Sequence, residues 1–137
     1  EFSCFSNLSD AHVADIARIA TAVCYPPGYT LMEEGKPGDR LFFLIHGKVD
    51  VFYNIGEAGQ VRVDAVFGDE VIGCSALVPT YVYTATERCV TEVEVLEIDL
   101  LALRELMHKD HNLGFAIQEH LIGVLMNRII DLRLQVA

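Results

Sequence analysis

The sequence predicts a mainly β fold with flanking helices, in which antiparallel strands form a sandwich, a barrel or a jelly roll. Short runs rich in β-forming residues alternate with turns that contain glycine, such as those around Gly35, Gly47 and Gly68. No segment of helical length separates these runs, so parallel strands joined by crossover helices are excluded. The strand candidates are residues 30–32, 41–45, 48–53, 60–66, 81–86 and 90–98.

Helical periodicity marks both ends of the chain. Near the N-terminus, apolar residues at helical spacing follow Ser9 and Asp10, either of which can cap a helix over residues 9–24. Asp99 is expected to cap a short helix that the sequence KDHN interrupts. A single domain, residues 1–137, would then comprise the N-terminal helix 9–24, a β region 25–98 and C-terminal helices 99–136.

The final segment, residues 113–137, carries the strongest helical signal. Steps of three and four residues connect six apolar residues and one glutamine in a seam of the kind that pairs helices in coiled coils. A second apolar stripe, Ile117, Leu121 and Val124, is expected to pack on the β region. One contact cannot cover both surfaces, so the sequence predicts a homodimer, unless a further domain covers the seam. The predicted dimerisation residues are Phe115, Ile122, Leu125, Ile129 and Leu132.

Composition limits the classes of partner. A chain of 137 residues is one domain of ordinary size, which can bury a core without disulfides or metals. Twenty acidic against ten basic side chains give a net charge of −10, so nucleic acid is not an expected partner of this domain itself. Apolar runs are too short to cross a membrane and no signal-peptide pattern opens the chain, which predicts a cytoplasmic protein. The first residue is Glu, as expected for a piece of a longer protein.

The cysteines and histidines show no metal-binding pattern. The four cysteines are scattered without any C-x-x-C pair, which argues against zinc, iron–sulfur clusters and a disulfide framework. They are Cys4, Cys24, Cys74 and Cys89. His108 and His111 lie three residues apart with no third ligand evident, so we interpret them as a solvated helix end. No nucleophile elbow and no phosphate-binding P-loop is present, and the sequence predicts no enzyme.

The segment PGYTLMEEGKPGDRLFFLIHGKVDVF, residues 27–52, resembles the first signature of the cyclic nucleotide-binding domain shared by the catabolite activator protein and its Crp-Fnr relatives. The matching positions include turns where glycine can adopt a positive φ and where Asp39 can bond to nearby backbone. The resemblance covers nearly the whole chain. It implies an antiparallel β jelly roll (double-stranded β-helix) of about eight strands, with an N-terminal helix and two C-terminal helices.

The same resemblance places the ligand site of the family, its phosphate-binding cassette, at residues 73–89. The framework of the cassette matches at Gly73, Ala76 and Leu77, and a Thr-Ala pair follows the position of the family's arginine. The effector that the resemblance implies is cAMP or cGMP. The predicted ligand-binding residues are Gly73, Cys74, Ser75, Ala76, Leu77, Tyr83, Thr84 and Ala85.

Two charged residues of the family pattern are replaced. The glutamate that holds the ribose 2′-hydroxyl falls on Cys74, and the arginine that pairs with the cyclic phosphate falls on Tyr83. Hydrogen bonds to charged groups contribute about 1.5–3 kcal/mol each, so losing both weakens binding on the order of a hundred- to ten-thousandfold. Arg88 is a candidate substitute, but strand alternation places it on the opposite face from Tyr83.

Each replacement has two interpretations. Cys74 either fills a vacated ribose pocket or is a reactive thiol, because a cysteine near a helix N-terminus has a lowered pKa. Tyr83 either contacts a new ligand or fills the vacated space with its ring. Tyr81 is expected on the same side of the strand as Tyr83, because side chains two positions apart along a strand share a face.

The sequence therefore predicts a ligand-sensing regulatory domain that binds a cyclic nucleotide or another small effector and signals through its C-terminal helix. The alternative is a ligand-free interaction or dimerisation module that retains only the fold. An open cassette with inward N–H groups would favour the ligand-sensing domain. A cassette filled by Tyr83 would favour the ligand-free module. An effector domain of a transcription regulator is a third interpretation, which a helix-turn-helix after Ala137 in a longer chain would support.

Overall fold

Eight antiparallel strands form the body of the protein in the computed structural model, which describes residues 8–68 and 70–136, with backbone alone for residues 131–136. The strands make two four-stranded sheets, in the orders β1-β8-β3-β6 and β2-β7-β4-β5. This arrangement confirms the predicted jelly roll. The strands are β1 (Ala20–Tyr25), β2 (Thr30–Met32), β3 (Arg40–His46), β4 (Val49–Asn54), β5 (Gln60–Val66), β6 (Val71–Ile72), β7 (Thr86–Cys89) and β8 (Val93–Asp99).

Three helices flank the sheets, and side chains that precede them act as caps. They are α1 (Asp10–Ala17), α2 (Leu100–Lys109) and α3 (His111–Val136). The Ser9 side chain accepts a hydrogen bond from the backbone of α1, and Asp99 accepts one from the N–H of Ala102 at 3.1 Å, as predicted. Asp110 accepts from the N–H of Leu113 at 3.2 Å, so it begins α3 at the KDHN interruption. No described helix is long and apolar enough to span a membrane.

The N-terminal helix is shorter than predicted. The helix expected over residues 9–24 ends at Ala17, and residues 20–25 form β1. This strand pairs with β8 from Ala20 opposite Ile98 to Tyr25 opposite Val93. Pairing to a neighbouring strand satisfies the backbone of β1 and overrides the helix propensity of its two alanines. The two-residue strand β6 was also not predicted, because it is too short to show a period.

The strand predicted over residues 81–86 is displaced toward the C-terminus. Residues 81–85 are irregular apart from an isolated bridge at Val82, and β7 begins at Thr86. Tyr81 has φ 61°, a left-handed conformation that interrupts strand alternation. Tyr81 is 42% exposed whereas Tyr83 is 5% exposed, so the prediction that they share a face is wrong.

The core lies between the sheets and continues beneath the helices. Residues 41–44 of β3 are all buried, as expected for a strand covered on both faces. Leu41 and Phe43 face the helices, where they line a small apolar space with Ile16 of α1, Leu103 of α2 and Ile117 of α3. All three helices therefore pack against the same face of β3, and α3 extends beyond this contact.

Candidate functional site

The ring of Tyr83 occupies the middle of the cassette. Gly73, with φ 94°, precedes a 3-10 turn (Cys74–Leu77), which we call the cassette turn. A Cβ on Gly73 would lie 3.2 Å from the Tyr83 ring, and a Cβ on Gly38 would lie 3.0 Å from it and 2.1 Å from Ala76. Both glycines therefore leave the space that the ring fills.

Hydrogen bonds hold Tyr83 in this position. Its hydroxyl accepts from the N–H of Arg40 at 3.1 Å and donates to the carbonyl oxygen of Arg40 at 2.7 Å. Its own N–H donates to the carbonyl of Lys36 at 2.9 Å, and its carbonyl accepts from the N–H of Gly35 at 2.8 Å. Burial raises the pKa of the phenol. Tyr83 is thus fixed at both ends as a neutral, buried side chain.

Several polar groups of the cassette bond to one another. The Ser75 hydroxyl donates to the carbonyl of Val82 at 3.3 Å and accepts from the N–H of Thr84 at 3.3 Å. The N–H of Ala76 donates to the carbonyl of Gly73 at 3.2 Å. At least two N–H groups that an anion could have used are therefore already bonded within the cassette.

Cys74 is a half-buried residue at the start of the cassette turn. Burial raises the pKa of its thiol, and the charge of Glu87 raises it further, while the Arg128 guanidinium lowers it. The net direction is opposite to that of an activated thiol. The interpretation of Cys74 as a reactive thiol requires a lowered pKa, and the raised pKa of this thiol contradicts that requirement.

The contacts of the Arg88 side chain are with residues of β2, β4 and β5. Its guanidinium lies over the ring of Phe52 with 4.9 Å to the centroid. Its Nε donates to Thr30 Oγ1 at 3.4 Å and its Nη2 donates to Gln60 Oε1 at 3.3 Å. The expectation that Arg88 does not replace the missing cation is consistent with this geometry.

Glu87 is a buried carboxyl group in the cassette that the sequence pattern did not reveal. It lies on β7 opposite Val51 of β4 and Met32 of β2, both buried, and is itself 7% exposed. Its Oε1 has no hydrogen-bond partner among the described residues. Alternation with the buried Cys89 would have revealed its inward direction if β7 had been placed at Thr86–Cys89.

The charge of Glu87 is set by burial and by nearby groups. Burial raises the pKa of its carboxyl to about 7, the Arg128 guanidinium lowers it, and the charges of Glu70 and Asp64 raise it further. Arg128 Nη2 lies 3.6 Å from Glu70 Oε2. An arginine of α3 thus pairs with an acidic residue close to the start of the cassette.

Helix α3 presents two different faces. Ile117 and Leu121 are partly buried against the core, which agrees with the predicted packing of the second stripe. Arg128 continues that stripe by steps of three and four residues. The seam on the other side is open: Phe115 is 66% exposed and Ile122 is 61% exposed. Leu125 and Ile129 are also exposed, and the side chain of Leu132 lies outside the described residues.

The comparison with protein families decides the membership of the chain. The family model described as the cyclic nucleotide-binding domain matches residues 22–110, which is more than half of the 137 residues. The chain belongs to this family. The match includes the whole cassette and seven of the eight strands in full.

Two curated relatives of this cyclic nucleotide-binding domain are regulatory proteins. The chain is 26% identical over 125 residues to a CRP-like cAMP-activated global transcriptional regulator of Mycobacterium tuberculosis, covering 91% of this chain and 54% of the regulator. It is 39% identical over 62 residues to a cAMP-dependent protein kinase regulatory subunit of Aspergillus niger, covering 45% of this chain and 15% of the subunit. The chain therefore spans about half the length of the Mycobacterium relative.

Solved structures agree with the fold. A Geobacter metallireducens protein described as a cyclic nucleotide-binding protein is 27% identical, with a TM-score of 0.85 over 93% of this chain and 92% of that one. The Thermus thermophilus catabolite activator protein has a TM-score of 0.76 and 19% identity, covering 97% of this chain and 61% of that one. The second likeness concerns the fold alone.

Proposed function

We propose that this cyclic nucleotide-binding domain is the sensory part of a regulatory protein and that a small effector at the cassette changes the position or pairing of α3. The two regulatory relatives support a sensory rather than a catalytic role. The geometry supports a connection from the cassette to α3, because Arg128 of α3 pairs with Glu70 beside the cassette. The seam of α3 remains exposed. An effector that binds two arrangements of α3 unequally would shift the population between them.

We propose further that the effector is not a cyclic nucleotide held in the usual way of the family. The observation that carries this is the buried ring of Tyr83, bonded at both the N–H and the carbonyl of Arg40. By the resemblance, this residue stands where the family places the arginine for the cyclic phosphate. The carboxyl of the buried Glu87 lies near Cys74, where the family has its glutamate, so added negative charge is disfavoured.

We propose that the domain forms a homodimer through the seam of α3 and that the effector acts on this dimer. Four apolar seam residues are exposed on one side of the helix. Adjacent exposed apolar residues mark protein interaction sites, and spacing of three and four residues fits a second helix. In the whole protein, a separate domain would bind DNA in the cytoplasm, since the charge of −10 disfavours nucleic acid binding by this domain.

Thermal unfolding with and without nucleotide tests the proposed function. At about a hundred times its Kd, a ligand stabilises the folded state by about 2.7 kcal/mol, which raises the Tm by several degrees. We expect no such rise with cAMP or cGMP at millimolar concentration, and sedimentation should show a dimer. A clear rise with cAMP would contradict the proposed effector, and a monomer at high protein concentration would contradict the proposed homodimer.

The second candidate is a ligand-free dimerisation module, which the filled cassette favours. Tyr83 and the Ser75 hydroxyl both bond within the protein rather than toward a ligand. Nondenaturing mass spectrometry of the protein purified from its own host separates the candidates. A retained small molecule supports the sensory domain. Protein that dimerises but carries no added mass under gentle desolvation supports the ligand-free module.

A further inference from the structure

We infer that the effector carries a cationic nitrogen with N–H donors, as an amine or amidine does, and that the carboxylate of Glu87 is its acceptor. The inference rests on the proposed sensory function and names the class of its effector. The charge of this ligand is opposite to that of a cyclic nucleotide, which is an anion. The inference is carried by the burial of Glu87, the charges that act on it, its ionisation and the position of Arg128 on α3.

The position of Glu87 is unusual for a carboxyl group. It is 7% exposed, lies opposite the apolar Val51 and Met32, and leaves Oε1 without a hydrogen-bond partner among the described residues. An isolated buried carboxylate is costly, and buried polar atoms in native proteins almost always have partners. An external hydrogen-bond donor would satisfy Oε1.

The charges around Glu87 favour a cation. Glu70, which precedes β6, and Asp64 of β5 act on Glu87 with the same sign, and Arg128 of α3 acts with the opposite sign. The Arg128 guanidinium is already paired with Glu70 at 3.6 Å. The charges that act on Glu87 are thus two carboxylates and one guanidinium, and their negative balance favours a small cation over a cyclic phosphate.

The ionisation of Glu87 is matched to such a ligand. Burial raises the pKa of its carboxyl to about 7, so the unliganded group is only partly ionised near neutral pH. A cation at hydrogen-bond distance favours the ionised form and creates a charge-assisted hydrogen bond. The thiol of Cys74 has a raised pKa and stays neutral, so it does not offset this charge.

Helix α3 is linked to the same charges through Arg128. The guanidinium of Arg128 acts on both Glu87 and Cys74. Arg128 follows Ile117 and Leu121, which pack against the core, at helical spacing. A ligand cation beside Glu87 repels Arg128 and strengthens the competition for Glu70. Binding would thereby change the contact between α3 and the barrel, which is the contact that the proposed function requires.

Calorimetric titration with simple cations tests the inference. The probes are n-butylammonium and benzamidinium, with tetramethylammonium as a cation that has no N–H donor, at pH 8 and constant ionic strength. The variant is Glu87→Gln, which keeps the shape and should fold because it removes an unpartnered carboxylate. The control is Glu119→Gln, which removes an exposed carboxylate of α3.

We expect saturable one-to-one binding of at least one N–H probe to the native protein and the control, and about ten- to hundredfold weaker binding to Glu87→Gln. Tetramethylammonium should bind weakly to all three. Equal binding to native protein and Glu87→Gln would overturn the inference, as would the absence of saturable binding up to about 10 mM. A different small molecule retained in nondenaturing mass spectrometry would then leave the sensory function standing, whereas no retained molecule would remove both.

Discussion

The hydroxyl of Tyr83 bonds to both backbone groups of Arg40, accepting from its N–H at 3.1 Å and donating to its carbonyl at 2.7 Å. This pair joins the cassette to the first residue of β3. A Cβ on Gly38 or Gly73 would lie within 3.2 Å of the Tyr83 ring, so both glycines leave room for it. A residue at a ligand-binding position of the family thus contributes to the stability of the fold.

Replacing Tyr83 by phenylalanine should destabilise the protein by about 1–3 kcal/mol, because the ring stays while the N–H and carbonyl of Arg40 lose their common partner. Urea unfolding of native protein and variant measures the difference. The matched control is Tyr81→Phe, since Tyr81 is 42% exposed and its ring contacts the Arg104 guanidinium without a hydrogen bond from its hydroxyl among the described contacts. Equal effects of the two changes would contradict the structural role of Tyr83.

The fold was largely predictable because turn positions and helix caps are local signals. The predicted strands match five of the eight observed strands to within a few residues, and the structure confirms Asp99 as a cap. The strand β1 was not predictable, because it is stabilised by pairing with β8, whose residues lie 68 to 78 positions away in sequence. Local propensity cannot contain that information.

Removing the charge of Glu87 should change how stability depends on pH. Folding raises the pKa of this carboxyl from 4.5 to about 7, so the native protein loses stability as the pH rises from about 4.5 to about 7 and no more above that. The free energy of unfolding of Glu87→Gln minus that of native protein should therefore be about 2 kcal/mol larger at pH 8 than at pH 5. Urea unfolding at both pH values measures it.

The comparison between two pH values cancels any constant effect of the amide itself. Glu119→Gln, which removes an exposed carboxylate of α3, is the matched control and should follow native protein at both pH values. A Glu87→Gln variant whose stability also stays parallel to that of native protein would show that Glu87 titrates alike in the folded and unfolded states.

Cys74 should react slowly with alkylating reagents. Burial raises the pKa of its thiol, which lowers the fraction of thiolate at neutral pH, whereas Cys24 is exposed. Iodoacetamide at pH 7.5, followed by peptide mass spectrometry, should therefore label Cys24 well before Cys74. Faster labelling of Cys74 would restore its interpretation as a reactive thiol.

A charge in the seam should dissociate the proposed dimer. Ile122 is 61% exposed, and a glutamate in its place would have to be buried without a partner when two helices pair. Sedimentation equilibrium should show Ile122→Glu as a monomer at concentrations where native protein is a dimer. Asn112→Glu adds the same charge at an exposed position in the first turn of α3, outside the seam, and should remain dimeric. Identical association of both variants would exclude the seam as the interface.

The candidate site was predictable only in outline. The resemblance located the cassette and the two replaced positions, but the left-handed conformation of Tyr81 shifted β7 by several residues. That shift turned Tyr81 outward and gave Glu87 an inward position that the predicted strand did not include. The inference of a cationic effector depends on this register, so the sequence alone could not suggest it.

Calorimetric titration of cAMP into native protein and into the double variant Cys74→Glu, Tyr83→Arg tests the central claim most directly. Circular dichroism first establishes that the variant is folded. Restoring both charged contacts should tighten binding on the order of a hundred- to ten-thousandfold, from no detectable heat with native protein to measurable binding. Tight binding of cAMP by native protein, unimproved in the variant, would contradict the claim that Tyr83 has taken the place of the phosphate ligand.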